Sequence, residues 1–139
     1  MSTEENKAIV LRFDEEVWNR HNPAIMDELL TSDYALYMSG SPPLDREGHR
    51  QFNAAMLAAF PDARSTTHDL IAEGDKVAWH WSFRGTHKGE FMGIPPTGKE
   101  VSLSGISILR LAGGKIAEQR AEADMLGFMQ QLGAVPAPG

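Results

Sequence analysis

The chain has 139 residues, 42% of them hydrophobic and 23% charged, with a net charge of −6 and no cysteine. That length makes one domain, residues 1–139, able to bury a core, and the acidic balance without a Lys/Arg cluster argues against a nucleic-acid partner. Lack of cysteine excludes disulfides, thiolate catalysis and Cys-ligated metals. No apolar run approaches a membrane span, and the acidic start MSTEENKAIV is unlike a signal peptide, so a cytoplasmic protein with no membrane partner is expected.

Residues 2–20 read as a helix. Ser2 and Glu5 fit a capping box, and Ile9, Phe13 and Val17 fall on one face with Val10 beside them. Asn22-Pro23 breaks the run. Pro23 suits the first turn of a short second helix carrying Ile25, Met26, Leu29 and Leu30. A short strand over 34–38 and the loop SGSPPLD follow, and Asp45 can cap a third helix striped by Phe52, Met56, Ala59 and Phe60.

From Ser65 the period changes to two. Residues 67–72 and 76–86 read as strands around the turn Glu73-Gly74-Asp75. In the second, Val77, Trp79, Trp81 and Phe83 share one face, which either packs on the helices or lines a cavity. GTHKGEFMGIPPTG, residues 85–98, is turn-rich and no regular element. Residues 101–111 and 116–124 read as a hairpin around Gly113-Gly114, although the alanines and glutamates of the second segment would also suit a helix, and Met125, Phe128, Met129 and Leu132 recur at helical spacing after it. Residues 134–139 are expected to fray, and there are no repeats or linkers.

Helices gathered at the front and strands at the back predict an α+β fold. A curved, mainly antiparallel sheet would carry three N-terminal helices on one face and a short C-terminal helix, enclosing a cone-shaped cavity for a small hydrophobic molecule. No dinucleotide or phosphate loop, nucleophile elbow or zinc-protease helix motif is present. The five histidines, at positions 21, 49, 68, 80 and 87, show no metal-type pairing and read as surface or packing residues. Asp124, just before the last helix, reads by position as an N-cap. The alternative is a partly desolvated strand-end carboxylate with a raised pKa, suited to moving protons. Glu118, Glu122 and Asp124 share a face of a regular strand, either solvated or lining a pocket.

Five blocks occur in order: AFPD at 59–62, EGDKV at 73–77, GTHKGEF at 85–91, GIPPTGK at 93–99 and DMLGFMQQLG at 124–133. With them the chain resembles the SnoaL-like polyketide cyclases, or ester cyclases, of the nuclear transport factor 2-like superfamily, over nearly its whole length. The resemblance implies a cone opening near the GTHKGEF and IPPTG loop. It implies ring closure by aldol chemistry with no metal and no cofactor, Asp124 acting as general acid/base on a polyketide ester.

At positions aligned with the family's pocket histidines stand Arg110 and Glu122. Gln119-Arg120 replaces a common His-Trp, and Tyr37 replaces a histidine near the end of the first strand. Asp124, Arg110 and Glu122 are therefore the catalytic candidates, and Tyr37, Trp79, Trp81, Phe83, Phe91 and Arg120 the substrate-binding ones. An arginine could lower the pKa of Glu122 or Asp124, stabilise an enolate oxygen, or simply lie over apolar neighbours on the surface. The resemblance also implies a homodimer or homotetramer paired through the outer sheet face. Epoxide opening or another hydrolysis, and non-catalytic ligand binding, remain the alternatives on this scaffold.

Overall fold

The computed structural model describes residues 2–136, so the last three residues of the tail lie outside it. Helix α1 (Thr3–Asp14) opens with the expected capping box: Glu5 N donates to Ser2 Oγ and Ser2 N to Glu5 Oε1, both at 3.0 Å. The helix does not run on unchanged to Arg20, because Glu15–Asn19 widens into a π-helical turn. A 3-10 turn (Pro23–Ile25) leads into the four-residue α2 (Met26–Leu29). Leu30, expected on that helix, instead opens strand β1 (Leu30–Met38), because it pairs with Ile116 of the last strand.

Helix α3 (Arg46–Ala59) is capped by Asp45, whose Oδ1 accepts from Gly48 N at 2.7 Å. Then come β2 (Arg64–Glu73), β3 (Lys76–Thr86), β4 (Glu100–Ala112), β5 (Lys115–Ala123) and α4 (Met125–Gln131). The curved, unclosed sheet has the order β1-β5-β4-β3-β2, parallel only at β1–β5. Gly113 and Gly114, with φ of 58° and 83°, make the hairpin turn that backbones with side chains resist.

Alternation along β4 sorts the sheet faces. Leu103, Gly105, Ser107 and Leu109 are buried, whereas Ser104, Ile106 and Ile108 are exposed on the outer face, the one expected to pair in an oligomer. Two apolar clusters sit under the concave face. One joins Val10, Phe13, Tyr34, Val77, Trp79 and Leu109. The other gathers around Phe60, whose ring centroid lies 5.5–5.6 Å from those of Phe83, Phe91 and Phe128. Each such aromatic pair adds about 0.5–1.5 kcal/mol beyond its buried area. No helix among the described residues is long and apolar enough to cross a membrane.

Candidate functional site

A cavity of about 240 Å³ lies where the two clusters meet. All three tryptophans of the chain contribute to its wall, with Phe83, Phe52 and Met56. Two of the indoles, those of Trp79 and Trp81, are tied off behind the wall: Trp79 Nε1 donates to Thr67 Oγ1 at 3.0 Å and Trp81 Nε1 to Ser107 Oγ at 2.9 Å. Their ring surfaces therefore face the space while their only polar atoms are satisfied, which keeps the wall apolar. The widened turn after α1 brings Trp18 to this wall while Val17 stays buried. It also places Asn19, whose amide donates to Ser65 O at 3.1 Å and accepts from Ser65 N at 2.8 Å, taking the part of a neighbouring strand. Ser65 is thereby fixed in the cavity wall.

The polar end of the cavity is built by His49 of α3, Tyr34 of β1 and Gln119 of β5. His49 and Gln119 line the space. Tyr34 is 1% exposed, stacks on His49 at 5.6 Å, and places its hydroxyl 3.0 Å from His49 Nδ1. Gln119 Nε2 donates to the same hydroxyl at 3.1 Å. With that oxygen already accepting from Gln119, the tyrosine proton has one acceptor left, His49 Nδ1. This fixes the tautomer with its proton on Nε2, which has no partner among the described residues. Burial pushes the His49 pKa down to about 4, so the ring is neutral at physiological pH. Burial likewise raises the pKa of Tyr34, which Gln119 only partly offsets. The result is a fixed neutral N–H donor at an apolar cavity.

The cavity reaches the surface at Ser39, Glu122 and Met125, its exposed lining residues. There the Ser39 hydroxyl donates to Glu122 Oε1. Glu122 is the one carboxylate of the lining. Among the described residues no group of three or more His, Asp or Glu is arranged to hold a metal.

A family model described as SnoaL-like polyketide cyclase matches residues 8–132. The chain belongs to the SnoaL-like polyketide cyclase family. Nogalonic acid methyl ester cyclase of Streptomyces nogalater is 37% identical over 72 residues, 52% of this chain and 54% of that protein. Aklanonic acid methyl ester cyclase DnrD of Streptomyces peucetius is 41% identical over 49 residues, 35% of this chain and 34% of that protein. The matched segments thus span between about a third and a half of these curated relatives. AclR of Streptomyces galilaeus, a proposed hydroxylase, superposes with a TM-score of 0.90 at 30% identity, covering 99% of this chain and 87% of that one. A proposed SnoaL-like polyketide cyclase from Jannaschia sp. CCS1 gives a TM-score of 0.87 at 26% identity over 96% and 95%.

In this SnoaL-like chain the candidates read from the sequence divide into several groups. Trp79, Trp81, Phe83 and Glu122 meet around the cavity. Tyr37, Arg110 and Arg120 do not line it. On β5, Gln119, Ala121 and Ala123 line the space, and Arg120 lies over the Tyr37 ring at 4.3 Å with Glu118 3.4 Å away. Arg110 pairs in register with Glu118 rather than with an acid of the cavity. Phe91 is absent from the lining because it fills the second cluster against Phe60 and Phe128. Its loop folds over the end of α3, where Lys88 N and Gly89 N donate to Ala59 O at 2.9 and 3.1 Å. The mouth consequently lies at Ser39, Glu122 and Met125 and not at that loop.

Asp124 caps α4. Its Oδ1 accepts from Gly127 N at 2.9 Å, and the carboxylate occupies the space a Cβ at residue 127 would need, so the glycine makes room for it. Asp124 also borders a shallow groove beside the mouth, together with Glu122 and His80. Sequence reasoning passed over His49, set aside as unpaired, and with it Tyr34 and Gln119. The available signal was position: His49 shares the α3 stripe with Phe52 and Met56 at three- and seven-residue spacing.

Proposed function

We propose that this protein acts on an apolar, polyketide-like carbonyl compound, closing or rearranging a ring by proton transfer without a cofactor. The observation that carries the reading is the neutral Nε2–H of His49 at a mostly apolar cavity, fixed from behind by Tyr34 and Gln119. A donor held in place where water is excluded stabilises a developing enolate oxygen more than it stabilises the ground-state carbonyl. Glu122, as the cavity's carboxylate, takes the proton from the carbon beside that carbonyl. The resulting carbanion attacks a second carbonyl of the same molecule, a carbon–carbon bond forms, and the new alkoxide takes the proton back. Nothing is gained or lost overall. In this proposal Asp124, committed to the N-cap, holds α4 and Met125 at the mouth, and Glu122 fills the acid/base role that the resemblance implied for Asp124.

The test supplies nogalonic acid and aklanonic acid methyl esters, the compounds named for the relatives, and follows product by mass and chromatography. The proposal expects a product of unchanged mass, with Glu122→Gln lowering kcat about 100-fold or more and Asp124→Asn leaving it nearly intact. Turnover lost in Asp124→Asn and kept in Glu122→Gln would return the role to Asp124. A product heavier by one oxygen would favour the hydroxylation named for AclR, and tight binding without turnover a ligand carrier.

A further inference from the structure

The sequence shows no histidine pair at metal-type spacing, yet the sheet makes one on its outer face. Trp79 and Trp81 turn inward to the cavity, so His80 between them turns outward, its side chain 42% exposed. Opposite His80 the β2–β3 register slips. Thr67 pairs with Trp81 and Asp69 with His80, which leaves His68 as the extra residue of a β-bulge. A bulge bends its strand and re-aims a side chain. Here it brings both His68 and Asp69 against His80. The two imidazole centres are 4.9 Å apart, with the rings tilted by 42°. His68 and His80 stand twelve positions apart in the chain, so no local pattern announces the pair.

Each ring is held at one nitrogen. His80 Nδ1 lies 3.1 Å from Asp69 Oδ2, and His68 Nε2 lies 2.9 Å from Ser82 Oγ. An ionised carboxylate only accepts, so it takes the proton on Nδ1 and leaves the lone pair of His80 Nε2 free. The Ser82 oxygen can accept from His68 Nε2 in the same way, which frees His68 Nδ1. Neither of these two remaining nitrogens has a hydrogen-bond partner among the described residues.

We propose that His68 and His80 chelate a divalent late first-row metal ion, of the zinc or nickel kind, with Asp69 fixing the His80 ring from behind. A metal about 2.0–2.1 Å from one imidazole nitrogen stands about 3.2 Å from that ring's centre, so two rings at a tetrahedral angle are about 5 Å apart. The observed separation meets that requirement. A carboxylate on the far nitrogen is the usual support of a metal-bound histidine, because it orients the ring and raises its basicity. Imidazole donors suit zinc, nickel and copper, whereas magnesium and calcium call for oxygen ligands. The surroundings carry the right sign: His80 also borders the groove shared by Glu122 and Asp124, and the chain has a net charge of −6. Two protein donors leave the other coordination positions to water. The ion lies on the opposite face of the sheet from His49, so this site stands or falls independently of the ring-closing reading.

The experiment titrates zinc chloride into untagged protein at neutral pH, following the histidine ring signals by NMR and the affinity by calorimetry. The expected result is a saturable shift of the His68 and His80 rings, with those of His21, His49 and His87 unmoved. His68→Gln and His80→Gln should each weaken zinc about 10-fold or more, because one imidazole alone loses the chelate. Asp69→Ala should weaken it by about 10-fold through the loosened His80 ring. Magnesium chloride should leave all the rings unmoved. Zinc held as tightly by His68→Gln as by wild type overturns the site, and so do ring shifts that centre on His21 or spread evenly over the exposed histidines. Should a variant fail to fold, the ring shifts of the wild-type protein still decide.

Discussion

His49 should make the fold sensitive to mild acid, and the size of the effect follows from its burial. Its pKa is 6.5 in an exposed state and about 4 in the folded protein. As pH falls below 6.5, the unfolded chain takes up a proton that the folded chain refuses, so stability is lost with added acid. Each unit of difference is worth about 1.36 kcal/mol, so at pH near 4 this one group removes about 3 kcal/mol. That is a large part of the roughly 5–15 kcal/mol typical of a domain. The comparison is with His49→Gln, which binds no proton yet offers an oxygen to the Tyr34 hydroxyl. Urea unfolding read by tryptophan fluorescence gives stability at each pH. The variant should start below wild type at neutral pH, and the gap should shrink by about 3 kcal/mol toward pH 4. Two curves that stay parallel would refute the buried, neutral imidazole.

Further outcomes follow from particular contacts. Asp124→Ala should cost about 1 kcal/mol of stability in a denaturant titration, and Asp124→Asn much less, because asparagine also caps. Gly105→Ala should lower the melting temperature and disturb the cavity tryptophans, since the added carbon would overlap the Trp81 ring and crowd Glu122 O; unchanged melting and fluorescence would contradict that packing. Asp14, with its pKa raised by burial, contributes stability at low pH that is lost as pH rises through its folded value. Asp14→Asn should therefore gain stability relative to wild type toward neutral pH, and a pH-independent difference would speak against the shift.

The scaffold was legible because local chemistry repeats its message at each boundary. Ser2 with Glu5, Asp45 and Asp124 are capping residues where helices begin, and Gly113-Gly114 turn where the hairpin turns. The alternation Val77, Trp79, Trp81, Phe83 put these side chains on one face, because a two-residue period assigns faces by itself, and the last three line the cavity while Val77 packs in the core. The polar end was not legible in the same way. On β5 the residues that reach the cavity are Gln119, Ala121 and Ala123, and chemistry draws the eye to their charged neighbours Arg120 and Glu122. Glu122 reaches the space only because it stands at the open end, beside Ser39. The β1–β5 pairing that brings Tyr34 and Gln119 together links segments 85 residues apart, which no local pattern encodes. Asp14 carried a weak local signal, an acid one turn after Val10 on an apolar helix face, and the widened turn behind it carried none.

The most direct test of the account is nitrogen NMR of the His49 ring with menadione added to the wild-type protein at neutral pH. A neutral ring protonated on Nε2 is predicted before addition, with the Nε2–H signal shifting on binding as it takes a carbonyl acceptor while Nδ1 keeps its tyrosine partner. A ring found as imidazolium or as the other tautomer, or an Nε2 signal unmoved by saturating ligand, would contradict it.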